Sequence, residues 1–168
     1  MADPLPQLLE FLRFRSISTD AAFAGEVEAC GEWLLTKFKQ MKLTAELHAT
    51  AGHPIVVARN AHRADRRTVL IYGHYDVQPV DPVALWETPP FEPTIRGDKI
   101  FARGVSDNKG QHLAHLNAIE AYIKTGTELP RCRKMRSTLR PSRPGSMISK
   151  RTASKWLSRM ISKASSPR

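Results

Sequence analysis

The run Thr68-Val69-Leu70-Ile71-Tyr72 restricts the fold of this chain more than any other feature, because it is apolar on both faces and ends at Gly73-His74-Tyr75-Asp76. A strand with two apolar faces has to be covered on both sides, which is the situation of parallel strands in α/β proteins. The run therefore predicts an α/β fold with helices packed on a central mixed, largely parallel sheet.

The flanking sequence supplies the helices and further strands. Leu5, Leu8, Leu9 and Leu12 recur at helical spacing over residues 5–15. Ser16-Ile17-Ser18-Thr19-Asp20 interrupts that pattern and offers N-cap residues for a second helix. This helix is predicted over about 21–41, with Phe23, Val27, Cys30, Trp33, Leu34, Phe38 and Met41 on its apolar stripe. Thr44–His48 and Ile55–Ala58 read as strands, and residues 93–103 read as a hairpin turning at Gly97-Asp98. A last helix fits Asn108 to about Lys124, with Gly126 just beyond its end. No run approaches the eighteen apolar residues of a membrane span, and the opening Met1-Ala2-Asp3-Pro4 lacks the features of a secretory signal. Two distant cysteines, Cys30 and Cys132, suggest a reducing, cytoplasmic setting without a disulfide framework.

Charge divides the chain near Pro130. The formal net charge is +10, but residues 131–168 hold 12 Lys/Arg and no Asp/Glu, whereas residues 1–130 hold 14 Lys/Arg against 16 Asp/Glu. The basic excess, which would otherwise suggest a nucleic acid or an anionic membrane as partner, thus describes a tail and not the body. Residues 1–130 and 131–168 are accordingly read as two units.

The body carries the candidate chemistry. Side chains two apart on a strand share a face, so His74 and Asp76 are expected to point the same way, at the carboxyl end where α/β sheets open onto ligands. That pair suits a metal ligand with an orienting carboxylate. Arg103-Gly104-Val105-Ser106-Asp107-Asn108-Lys109-Gly110 is a glycine-flanked loop entering a helix. There Ser106 or Asp107 serves as an N-cap, or Asp107 bridges two cations; spacing alone favours the cap. His112 and His115 lie three apart on the predicted helix and read as ordinary exposed or half-buried histidines, and nothing marks His48, His53 or His62.

In sequence order, YGHYDVQP (72–79), WETPPFEP (86–93) and GDKIFARGVSDNKGQ (97–111) closely resemble a di-zinc metallopeptidase family. This family includes carnosinase-type dipeptidases, carboxypeptidase G, aminoacylase, acetylornithine deacetylase and succinyl-diaminopimelate desuccinylase, and the wording is most like the dipeptidase branch. The resemblance covers residues 1–130 and implies the N-terminal part of an α/β/α zinc-peptidase catalytic domain. It implies His74 as a ligand of one metal, Asp107 as the carboxylate bridging two, and Asp76 as the supporting catalytic aspartate. It also implies a cis peptide bond after Asp107. The cofactors implied are two divalent ions, zinc or else cobalt or manganese, and the reaction is hydrolysis of a dipeptide or an N-acyl amino acid.

The resemblance further implies a next core strand leading to paired glutamates, later metal ligands, and a lid domain through which the family homodimerises. In this chain the last acidic residue is Glu128 and the last histidine is His115. The expectation is therefore weak metal binding, little or no activity of this polypeptide alone, and an uncovered edge at Val69–Tyr72 or its neighbour. The tail, with 9 Ser and 3 Pro beside its 12 basic residues, looks like a disordered segment read in a shifted frame. Two competing readings remain. One is a non-enzymatic anion-binding protein whose tail forms a basic amphipathic helix over Ala153–Ala164, and the other is a structural remnant with neither role.

Overall fold

The computed structural model describes residues 3–61, 65, 68–126 and 148–149. The predicted helices form where their apolar spacing placed them: α1 (Leu5–Arg13), α2 (Ala24–Gln40) and α3 (Lys109–Lys124). Asp20 caps a short 3-10 turn, Ala21–Phe23, by accepting from the Ala22 amide at 2.9 Å, and α2 follows directly. Gly126 lies just beyond α3 with φ +62. Among the described residues no helix is long and apolar enough to cross a membrane.

Phe11 and Leu12, neighbours on α1, are both fully buried and point into two cores. Phe11 joins Cys30 and Leu34 of α2 with Leu113 and Leu116 of α3, and its ring stacks on Trp33 at 4.8 Å. Leu12 meets Ile100, Ala102 and Val105, which lead into the Asp107 loop. One turn of α1 thereby fixes the distance between the helical layer and the segment carrying a candidate site residue.

The strands pair differently from the expectation. Strands β1 (Thr44–His48) and β2 (Ile55–Arg59) pair antiparallel, as do β3 (Thr94–Arg96) and β4 (Lys99–Phe101), while the two-residue β5 (Ile148–Ser149) adds antiparallel to β4. A parallel contact occurs at the isolated bridge between Ile17 and Val77. A largely parallel central sheet is therefore not present among the described residues. Short loops favour antiparallel partners, whereas parallel partners need long crossovers.

Thr68–Tyr72 is correspondingly not a regular strand, and Leu70 and Tyr72 are 91% and 82% exposed. A strand exists through its ladder bonds, and among the described residues no neighbouring strand supplies them. That outcome corrects the buried-strand reading. His62, Cys132, the tail's proposed disorder and the Ala153–Ala164 helix lie outside the described residues.

Candidate functional site

Two contacts hold residues 75–77 against the loop after α1. Ser16 Oγ donates to the Tyr75 carbonyl at 2.7 Å, and the Val77 amide donates to the Ser16 carbonyl at 2.8 Å. With the backbone fixed this way, alternation places His74 and Asp76 on one side. His74 Nδ1 lies 3.0 Å from Asp76 Oδ1, and Ser18 Oγ donates to Asp76 Oδ2 at 2.5 Å.

Asp107 arrives from the opposite direction. Gly104 turns the chain at φ +83, and the Lys109 amide closes the loop onto the Gly104 carbonyl at 3.0 Å. The peptide bond between Asp107 and Asn108 is cis. Asn108, not Ser106 or Asp107, is the N-cap of α3, so the capping alternative for these two residues does not hold. Asp107 Oδ1 instead lies 3.1 Å from His74 Nε2. The three residues singled out from the sequence thus meet around one imidazole, with Asp76 at one ring nitrogen and Asp107 at the other.

The site opens to solvent on the Asp107 side, whose side chain is 81% exposed, against 34% for His74 and 37% for Asp76. Beneath it the environment is dry. Lys109 is fully buried, donates from Nζ to the Phe14 carbonyl at 2.8 Å, and rests 5.3 Å from the centre of the Phe11 ring. Burial pulls its ammonium down to about 8. The buried Cys30 thiol is pushed up to about 11 by desolvation, which makes it a packing group and not a nucleophile. The Tyr75 hydroxyl donates to the Pro54 carbonyl, and burial raises it to about 12.

His112 packs edge-on to Phe11 and against Gly73, where a Cβ would sit 3.0 Å from its ring. Burial, then His115 and His74, hold its pKa down at about 4, so it stays neutral near pH 7. It is a half-buried packing histidine, as its spacing suggested. His53 Nε2 lies 2.7 Å from the Ser18 carbonyl, and His48 sits beside Glu46 at 3.2 Å.

An imidazole nitrogen and a carboxylate oxygen are ordinary ligands for zinc and its neighbours, and a carboxylate on the other imidazole nitrogen is the usual support for such a ligand. His74, Asp107 and Asp76 match in type. Among the described residues, however, no group of three or more His, Cys, Asp or Glu side chains surrounds one ion position. The pair fits as part of a site.

Residues 70–134, which contain all three, match the model of peptidase family M20/M25/M40. Through this segment the chain is similar to that family. It is 46% identical over 143 residues to the Cys-Gly metallodipeptidase DUG1 of Candida albicans, covering 75% of this chain and 29% of that protein. The M20 family metallo-carboxypeptidase Sso-CP2 of Sulfolobus solfataricus superposes with TM-score 0.67 at 40% identity, covering 75% of this chain and 28% of that one. Human carnosine dipeptidase 1 superposes at 0.68 with 26% identity, covering 75% and 29%. The chain therefore spans less than a third of the length of these relatives.

Sequence reasoning passed over Ser18 and Lys109. Ser18 lay among N-cap candidates, and a lysine in the first turn of a helix reads as exposed. The only available signal for Lys109 was its place directly after the Asp107–Asn108 pair.

Proposed function

We propose that this chain carries one side of a metal-dependent amide hydrolase site, in which His74 and Asp107 are metal donors and Asp76 is the supporting carboxylate. The observation that carries the reading is the convergence of His74 Nε2 and Asp107 Oδ1 at 3.1 Å, with Asp76 Oδ1 3.0 Å from His74 Nδ1. Two ions, zinc or else cobalt or manganese, would supply Lewis acidity for an amide carbonyl and acidify a water. The protein's part is positional. Asp76 accepts the Nδ1 proton, which leaves the Nε2 lone pair directed at the Asp107 side. Asp107 has two carboxylate oxygens, enough to face two cations.

Similarity to a Cys-Gly metallodipeptidase and a carnosine dipeptidase supports a dipeptide as substrate, and similarity to a succinyl-diaminopimelate desuccinylase supports an N-acyl amino acid. Zinc sites want about four donors, and among the described residues two converge, so we expect weak metal binding and little turnover from them alone. Zinc content after equilibrium dialysis, with hydrolysis of Cys-Gly and β-Ala-His, tests the reading in wild type and His74→Ala. Zinc uptake that depends on His74, with slight turnover, is the expected result. Zinc uptake equal in the two proteins would overturn the assignment, and vigorous turnover by the wild type would overturn the expectation of little activity.

A further inference from the structure

The loop following α1 touches both halves of the site. On one side Ser16 grips the Tyr75 and Val77 backbone, Ile17 bridges to Val77, and Ser18 Oγ holds Asp76 Oδ2 at 2.5 Å. That bond fixes the rotation of the carboxylate, so that its other oxygen faces His74 Nδ1 at 3.0 Å. On the other side the Phe14 carbonyl accepts from the Lys109 ammonium at 2.8 Å, two residues beyond Asp107. The Lys109 amide in turn closes the Gly104 turn, so the Asp107 loop is tied to Phe14 through one residue. Lys109 is fully buried, and an ammonium in that position is held firmly by its acceptor, because an unpaired charge there is strongly disfavoured. His53 Nε2, 2.7 Å from the Ser18 carbonyl, secures the far end of the loop.

We propose that the Phe14–Ser18 loop is the positioning element of the site, Ser18 acting through Asp76 and the Phe14 carbonyl through Lys109 to set His74 against Asp107. Ser18 and Lys109 are positioning residues that need not touch a substrate or metal. The proposal rests on reading His74 and Asp107 as metal donors, and its test separates the two ideas.

The test uses the full chain with Ser18→Ala, Ser18→Thr, Lys109→Met and His74→Ala. Zinc affinity is measured by competition with a chromophoric chelator, and amide hydrogen exchange at Val77 and residue 109 is followed in metal-free protein. Partners that orient a metal-binding histidine are worth about 10–100-fold in affinity, and Ser18, one bond further out, is expected to give about ten-fold. Ser18→Thr keeps the hydroxyl and should stay within about two-fold of wild type. In Ser18→Ala the Val77 amide, and in Lys109→Met the residue 109 amide, should exchange about ten-fold faster. Wild-type zinc affinity in Ser18→Ala, when His74→Ala has lost it, overturns the proposal. If His74→Ala leaves zinc binding unchanged, the donor assignment is what fails, and exchange alone decides: faster Val77 exchange in Ser18→Ala supports the clasp, and unchanged exchange refutes it. Ser18 is only half-buried, so this arm stands even if Lys109→Met does not fold.

Discussion

Replacing Gly104 by alanine should be among the most disruptive small changes in the chain, for two separable reasons. Its φ of +83 lies in the left-handed region, where a side chain costs about 1–2 kcal/mol. An added Cβ would also sit 2.7 Å from Val77 Cγ1 and 3.4 Å from Lys109 Cδ. Val77 cannot retreat easily, being 3% exposed and bonded through its backbone to Ser16. Forcing extra volume into such a place costs about 1–3 kcal/mol. Gly104→Ala should therefore lose about 2–5 kcal/mol. Gly97→Ala is the natural control, since its φ of +59 carries the same backbone penalty but a Cβ there meets open space. Urea melts with unchanged slope should show a midpoint shift for Gly104→Ala well beyond that for Gly97→Ala. Equal shifts would refute the claim that the Asp107 loop is packed tightly onto Val77.

Two further perturbations follow from the same packing. Phe11→Ala removes a fully buried ring stacked on Trp33 and lying beneath Lys109, and should cost about 3–5 kcal/mol in a urea melt. A loss under about 1 kcal/mol would show that Phe11 is not the centre of this core. His112 should make the protein acid-sensitive. Its folded pKa of about 4 lies below the ordinary 6.5, so the unfolded chain binds the proton first, and stability present above pH 6.5 is lost as pH falls toward 4. His115, also lowered by burial, acts in the same direction. Between pH 7.5 and 5, His112→Asn should therefore lose less stability than wild type, whereas parallel losses would contradict the assignment.

Much of the scaffold was legible because its elements are local. The apolar stripe of α2, the turn at Gly97-Asp98 and the glycine beyond α3 are each written within about twenty residues, and each appears where expected. Thr68–Tyr72 was misread as a buried strand because residue type reports a preference for a sheet and not the presence of a partner. The site divided in the same manner. Strand alternation put His74 beside Asp76, but no local rule brings Asp107 to the same imidazole from 33 positions away; the family resemblance suggested it, and the loop from Gly104 to Lys109 achieves it. Ser18 and Lys109 were hidden for a related reason, since their partners, Asp76 and the Phe14 carbonyl, are distant in sequence.

The central claim is that His74 and Asp107 share a cation, and the most direct test is a zinc titration followed by NMR of the histidine ring resonances in metal-free protein. The His74 ring should shift first, ahead of His48, His53, His62, His112 and His115, and the shift should vanish in Asp107→Ala. Zinc that moves the other rings while His74 stays in place, or a His74 response unchanged in Asp107→Ala, would contradict the account.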